Sequence, residues 1–534
     1  MQKHLFSLFT EMNREPTHIL RQFKKVLWIL LLFAVVVEMI FFPSLPNFYG
    51  CVMAVTAYMI FTLFLKEKYI RNFPFSFLMY LSMFMYRYLP LIATALEGKP
   101  ITYGFQRPFE TFLYETILFL ISSLAFYLSC KNTLNAPTKN NLFQKQLHKL
   151  GFFTITPSII WGLGLIGLAA RLYNFSASDV QYGDVGGKFL IGLNYLMYAP
   201  ICLFFPSLLN TKFSNQKLLW FYAAGIFILN IASNSRESII TPIATVAILF
   251  FLYSVFNNIK ITNFISPLKI ISLVVSLFFI LNLLSNISIA MLHTRNIRDN
   301  ITKIELFKKT IETVQDEALM DKLKNTRNKN IQFLKSMTYQ QGWTEYYLDN
   351  FMLSRYANMR ITDETIYYAQ KRGYFNAEMQ YFFKQNILAL FPTPILKIFG
   401  INLDKTKLEF SRGDLLYGKG FGGYRVTSHV GDGLATFGFW YFPFQFLTFF
   451  LIFLAFNTFV YFTSNKVQYA PFAIINIFSF LGMFRNAQGL VGDISYLVRG
   501  YIQGIVTYLI VFYIVRYITT NVFPKKIKND NSFY

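Results

Sequence analysis

Apolar and polar positions along this chain fall into long blocks rather than short periods. A bilayer-crossing helix needs about 20 apolar residues. Runs of that kind are counted twelve times, at about 26–45, 48–65, 73–96, 109–130, 151–171, 188–209, 217–234, 238–256, 266–292, 434–462, 468–485 and 497–520. The seventh and eighth form one apolar run broken by Asn230-Ile-Ala-Ser-Asn-Ser-Arg-Glu-Ser238, which predicts a tight turn between two spans. One interruption stands apart, the polar stretch of about 140 residues from His293 to Asp432. Loops beyond about 15 residues are uncommon and usually functional. This one is read as a cap over a membrane-embedded active site, with its most informative part at Phe410–Gly438, FSRGDLLYGKGFGGYRVTSHVGDGLATFG.

The interruption itself has helical periodicity. Between Ile301 and Leu323, Ile304, Phe307, Ile311 and Val314 recur at helical spacing among Lys, Glu and Asp, the signature of an amphipathic helix. Gly342–Gln370 is Tyr-rich and reads as helical. Ala377–Phe391 is apolar on one side, ends at Pro392-Thr-Pro394, and suits a helix lying along a membrane surface. The expected architecture is an all-α polytopic membrane protein: spans one to nine in 1–292, the large helical loop in 293–432, and three more spans with a tail in 433–534.

Composition agrees with this. The chain is 54% hydrophobic and only 14% charged, against about 25% charged in soluble domains. Its net charge of +23 sits in short basic clusters between apolar runs, which the positive-inside rule explains and nucleic-acid binding does not. With Arg14, Arg21, Lys24 and Lys25 inside, alternate connections are basic, at Lys66–Arg71, Lys131–Lys149, Lys212–Lys217, Lys260, Lys466 and Lys525–Lys528. Both termini are then cytoplasmic and the large loop lies outside. Cys51, Cys130 and Cys202 are far apart in or beside apolar runs, so no structural disulfide is expected. No HExxH, no CxxC and no dense carboxylate cluster occurs, so no metal or other cofactor is expected. The first outward connection, Pro43–Asn47, also has no acid.

Candidate chemistry concentrates in basic residues near the outer face. Arg236 and Glu237 lie in the turn between spans seven and eight. They form either an ordinary ion-paired turn or a forked guanidinium aimed at an anion. Arg87 sits inside the third span, where it either snorkels outward or lines a cavity. Arg171 and Arg485 lie at outer span ends, as anchors or ligands. Arg355 is on the loop, at the surface or as a lid contact. Arg425 closes the Gly-rich stretch Tyr417–Arg425, whose backbone amides could approach an anion but which lacks the P-loop Gly-Lys-Ser/Thr pattern. His429 stands beside Asp432 just before the tenth span; it is a general base or a structural residue, with Asp432 and Glu345 in reserve.

Three local stretches, Ser233-Asn-Ser-Arg236-Glu-Ser, Leu353-Ser-Arg355-Tyr, and Phe391-Pro-Thr-Pro-Ile-Leu-Lys397 followed by Ser428-His-Val-Gly-Asp-Gly-Leu-Ala-Thr-Phe-Gly438, together with the layout, resemble the Wzy-type O-antigen polymerases. The chain departs from the family where Ile395 follows Pro394 in place of Arg, and where Asp432 replaces the commoner Glu. The resemblance implies a GT-C-like glycosyltransferase of the bacterial inner membrane with a periplasmic active site. It would polymerise undecaprenyl-diphosphate-linked repeat units without a metal, in company with membrane lipids and a polysaccharide chain-length regulator. Arg236 and Arg355 would hold the diphosphates, Arg425 and Arg485 would support them, and His429 would be the base. An O-antigen ligase shares the donor and layout. A transporter of an anionic lipid-linked glycan predicts instead charges deep in several spans and short loops.

Overall fold

The computed structural model describes residues 18–135, 140–176, 185–232, 236–259, 267–294, 303–336, 359–408, 410–418, 425–463, 466–484 and 489–522, with the single residues Ile297, Ile301, Tyr339, Leu348, Asn350 and Ser354. The chain is a mostly helical, multi-pass membrane protein with a helical extramembrane region. It divides into two units.

The first unit comprises 1–137, 254–457 and 479–500. It opens with helices α1 (His18–Phe41), α2 (Leu45–Phe64), α3 (Pro74–Leu96) and α4 (Pro108–Asn135). Their starts follow local chemistry. Ser44 caps α2 by accepting from the Asn47 amide, and Pro74 and Pro108 open α3 and α4, where a missing N–H costs nothing. α3 is the most buried of the candidate spans. Around it Phe61 stacks on Phe84 at 4.0 Å and Tyr80 on Phe126 at 4.7 Å. The extramembrane part follows α5 (Pro267–Thr294) as α6 (Lys303–Gln315), α7 (Glu317–Ser336), α8 (Arg360–Arg372), α9 (Ala377–Ala389) and α10 (Arg412–Tyr417), and α11 (His429–Phe437) then begins a candidate span. The amphipathic helix expected over 301–323 is two helices, because Asp316 accepts from the Leu319 amide and so starts a new one. α11 runs through a short turn at Gly438 (φ +55) into α12 (Tyr441–Asn457), and α13 (Gly489–Ser495) closes the unit. Ser76 on α3 donates to the Phe453 carbonyl and pairs with Asn457, tying α3 to α12.

The second unit comprises 138–253, 458–478 and 501–534. Its helix Pro157–Ser176 packs on the 3₁₀ stretch Asn194–Phe204 so closely that a Cβ at Gly167 would lie 2.1 Å from the Met197 amide nitrogen. Helices Gln216–Ala232 and Arg236–Phe256 flank the expected turn at 230–238, whose centre lies outside the described residues.

Two expectations need correction. Among the described residues six helices, not twelve, are long and apolar enough to cross a membrane: Leu45–Phe64, Pro74–Leu96, Pro108–Lys131, Ser238–Phe256, His429–Asn457 and Gly489–Asn521. Length of apolar run overstated them, because backbone chemistry interrupts several. In 188–209 the α-helix Val185–Leu193 gives way to 3₁₀ segments that hold Pro200 and Pro206. The run 468–485 becomes the end of a strand followed by helices Pro471–Ile475 and Ile477–Leu481. α1 begins early and carries Arg21, Lys24, Lys25 and Glu38. The chain is also not purely helical: Val460–Phe462 pairs antiparallel with Val467–Tyr469, Val460 opposite Tyr469.

Candidate functional site

Helix α8 builds the base of the site in the first unit. Its sequence, RITDETIYYAQKR, is polar, yet nine of its 13 residues are buried, Arg360, Asp363 and Glu364 among them. Buried charge is tolerated only when paired or hydrogen-bonded. Asp363 meets that demand with four donors: the Gln106 amide at 2.7 Å, the Arg107 amide at 2.8 Å, Thr111 Oγ1 at 3.2 Å and Tyr339 Oη at 2.6 Å. Burial pushes its carboxyl up to about 6, against the lowering effect of those hydrogen bonds. Burial, with Asp363 beside it, also holds the Tyr339 phenol well above its ordinary value. Asp363 thus clasps the 104–111 connection to the extramembrane helices.

On α8 lies α11, and in -Gly431-Asp432-Gly433- the first glycine sets its spacing to α8 and the second its spacing to α12. A Cβ at Gly431 would meet Thr365 Oγ1 at 2.3 Å, and one at Gly433 would meet the Tyr441 ring at 2.1 Å. Ser428 caps α11 through its bond from the Gly431 amide, 2.9 Å, and shares a 2.5 Å contact with Thr365. These constraints fix the first residue of the helix, His429.

His429 is 1% exposed. Its ring stacks on Phe484 at 4.8 Å with a 10° interplanar angle. Its Nδ1 faces Asp493 Oδ2 of α13 at 3.8 Å, within ion-pair range and longer than a hydrogen bond. Asp493 Oδ2 accepts from Gln445 Nε2 of α12 at 2.7 Å, while Oδ1, fully buried, has no hydrogen-bond partner among the described residues. The Arg87 guanidinium lies 5.0 Å from the Phe484 ring centroid, so one ring touches both His429 and Arg87.

Arg87 does not reach outward. It is wholly buried in α3, with Nη2 at 2.7 Å from Glu115 Oε2 of α4 and Nη1 donating to the Met83 carbonyl. Glu115 also accepts from Thr362 of α8, which shares a 2.9 Å contact with Tyr86. Arg87 is nine residues from the end of α3, about 13 Å along the axis at 1.5 Å per residue. The pair therefore lies within the span and not at its rim.

The other candidates in this unit are engaged in ion pairs. Asp432 is held by Arg412 Nε at 2.7 and 2.9 Å, and Arg412 Nη2 donates to Thr436 at 2.7 Å. This grip ties α11 to α10. Arg425, 24% exposed, pairs with the buried Asp414 at 2.9 Å. The structure thus gathers His429, Asp432, Arg425 and Arg87 around α8 and α11. Arg236 opens the helix Arg236–Phe256 of the second unit; its side chain, that of Glu237, and residues Arg355, Glu345 and Arg485 lie outside the described residues.

Reading the sequence for basic residues missed the acids. Glu115 in Leu113-Tyr-Glu-Thr-Ile lies inside the apolar run 109–130, and Asp493 in Leu490-Val-Gly-Asp-Ile lies just before the run 497–520; the structure puts both in candidate spans. Such residues are expensive in a membrane and are site candidates on that ground alone. Among the described residues no three His, Cys, Asp or Glu side chains are grouped so as to hold a metal ion. Compared with protein-family models, curated proteins and solved structures, the chain matches none.

Proposed function

We propose that this protein is a metal-independent membrane glycosyltransferase that polymerises undecaprenyl-diphosphate-linked oligosaccharide repeat units, with its extramembrane region on the periplasmic side of a bacterial inner membrane. The observation that carries the reading is the His429–Asp493 couple at 3.8 Å, set at the junction of the extramembrane helices and the spans. The reaction is a substitution at an anomeric carbon. An acceptor hydroxyl attacks, its proton passes to a base, the bond from carbon to the phosphate oxygen breaks, and the diphosphate leaves with the electron pair. His429 Nε2 is assigned the proton, and Asp493 on the opposite nitrogen stabilises the imidazolium that results. Arg236 and Arg355 remain the cations assigned to the diphosphate, as preorganised positive charge, with Arg485 as one supporting cation. Arg425, the partly exposed member of its ion pair, is the other.

A specific observation favours a second reading, a transporter of an anionic lipid-linked glycan. The Arg87–Glu115 pair and Asp493 are buried within candidate spans, where intramembrane charge marks translocation pathways as well as catalytic ones. One preparation separates the two. Purified protein receives a lipid-diphosphate-linked repeat unit in the presence of EDTA, and the products are resolved by size. A ladder of polymers is the expected result. Folded protein that yields no ladder, yet moves a labelled anionic lipid across liposomes, supports the second reading and removes the first.

A further inference from the structure

A groove of about 500 Å³ lies where α9 meets the α11–α12 junction. Phe375, Phe383, Phe437, Trp440 and Phe444 supply its apolar surface, and Gln380 and Lys384, one turn apart on α9, supply donors. Gln380 Nε2 is buried with no hydrogen-bond partner among the described residues. The groove is braced by Phe383 against Phe437 at 4.8 Å and Tyr374 against Phe439 at 5.8 Å, so α9 is seated on the end of a candidate span.

Two apolar surfaces extend from it, one through the shared residues Trp440 and Phe444 and one along the chain after α9. Along α12 and the turn before it, Trp440, Phe444, Leu447, Leu451 and Leu454 are exposed at alternating spacings of four and three, one continuous stripe of a span. Beyond α9, the helix Thr393–Ile398 buries Leu396 but leaves Ile395, Ile398 and Phe399 exposed, the last two at 80% and 74%. Exposed apolar patches of this kind are rare on surfaces that face water. Lys384, Lys397 and Lys405 accompany them along the chain, and this mix of exposed apolar and cationic residues suits a helix lying in a headgroup layer.

We propose that Phe375–Phe399 is a membrane-seated platform whose groove takes one bilayer phospholipid, its acyl chain on the aromatic rings and its phosphate on Lys384 and Gln380. The continuity of the α12 stripe with the groove is what selects lipid as the occupant. This proposal is independent of the glycosyl-transfer reading, since it needs no turnover.

The test places a fluorophore on the platform in the full chain. Ile398→Trp and Phe399→Trp are reconstituted in lipid nanodiscs, and the fluorescence added over wild type is challenged with three quenchers. These are phospholipid brominated near its headgroup, phospholipid brominated near its chain terminus, and aqueous iodide. Lys371→Trp on the exposed part of α8 reports the aqueous limit, and Leu451→Trp the lipid limit. The expected result is loss of most of the added signal to headgroup-proximal bromine and little to iodide. Quenching by iodide alone puts the platform in water and overturns the proposal. Quenching by neither puts protein over it, a second copy included, and overturns it equally. For the groove, Lys384→Ala is expected to lose the co-purifying phospholipid that wild type retains in native mass spectra. Equal retention contradicts the headgroup assignment.

Discussion

Two buried carboxylates invite comparison. Asp363, in the extramembrane clasp, and Asp493, beside His429, are both fully buried. Asp363 accepts four hydrogen bonds, two of them from backbone amides. Asp493 accepts one, from Gln445, faces an imidazole at 3.8 Å, and leaves Oδ1 without a partner among the described residues. A saturated buried carboxylate fastens together the segments that donate to it. An under-saturated one keeps capacity for a proton or a moving partner, at a cost to stability that structure alone does not repay. On the proposed reading the first serves the fold and the second the chemistry.

The largest expected stability effect falls on the saturated side. Asp363→Ala strands two backbone N–H groups and the Thr111 hydroxyl, while Tyr339 keeps the Gly104 carbonyl; at about 1–3 kcal/mol each, a total loss of roughly 3–9 kcal/mol is expected. Thermal unfolding in detergent checks it, and a midpoint unchanged from wild type breaks the comparison. Arg87→Ala is next: it leaves Glu115 buried and uncompensated, at about 3–5 kcal/mol, whereas replacing both partners by apolar residues is far milder. A double variant no more stable than the single one contradicts the pairing. Gly433→Ala overpacks the contact with Tyr441 and is expected to cost about 1–3 kcal/mol, seen in the same melts.

The smallest effect is a pH dependence. The folded-state value of Asp363, about 6, lies above the ordinary aspartate value of 3.8. The folded state therefore holds the proton more tightly. The resulting stabilisation is full below about 3.8 and is lost as pH rises through about 6. Wild type is expected to gain stability between pH 7 and pH 5 relative to Asp363→Asn, measured as the difference between their unfolding midpoints. Parallel pH profiles remove Asp363 as the source.

How much of this was legible in the sequence follows from the range of the interactions. Apolar runs located the helices Leu45–Phe64, Pro74–Leu96 and Pro108–Lys131 to within a few residues, because burial and helix length act locally. Ser428 before His429 is a readable cap for the same reason. Partners were not legible. Glu115 lies 28 residues from Arg87, and Gln445 lies 48 residues from Asp493; nothing in either local pattern specifies the match. The burial of α8 was equally hidden, since a helix reading RITDETIYYAQKR looks solvated until Asp363 finds its four donors. The excess of expected spans arose where Pro200, Pro206 and the 460–469 hairpin interrupt apolar sequence without changing its hydropathy.

The central claim is tested most directly by measuring Asp493→Asn and Asp363→Asn side by side for both unfolding midpoint and polymer formed per folded molecule. Asp493→Asn is expected to keep a near-wild-type midpoint and to lose roughly a hundred-fold in turnover, the scale on which acid–base groups act. Asp363→Asn is expected to do the reverse, with a lowered midpoint and near-normal turnover in the fraction that remains folded. If Asp493→Asn melts early and polymerises normally, Asp493 is a structural residue, and the assignment of His429 as the base loses its support.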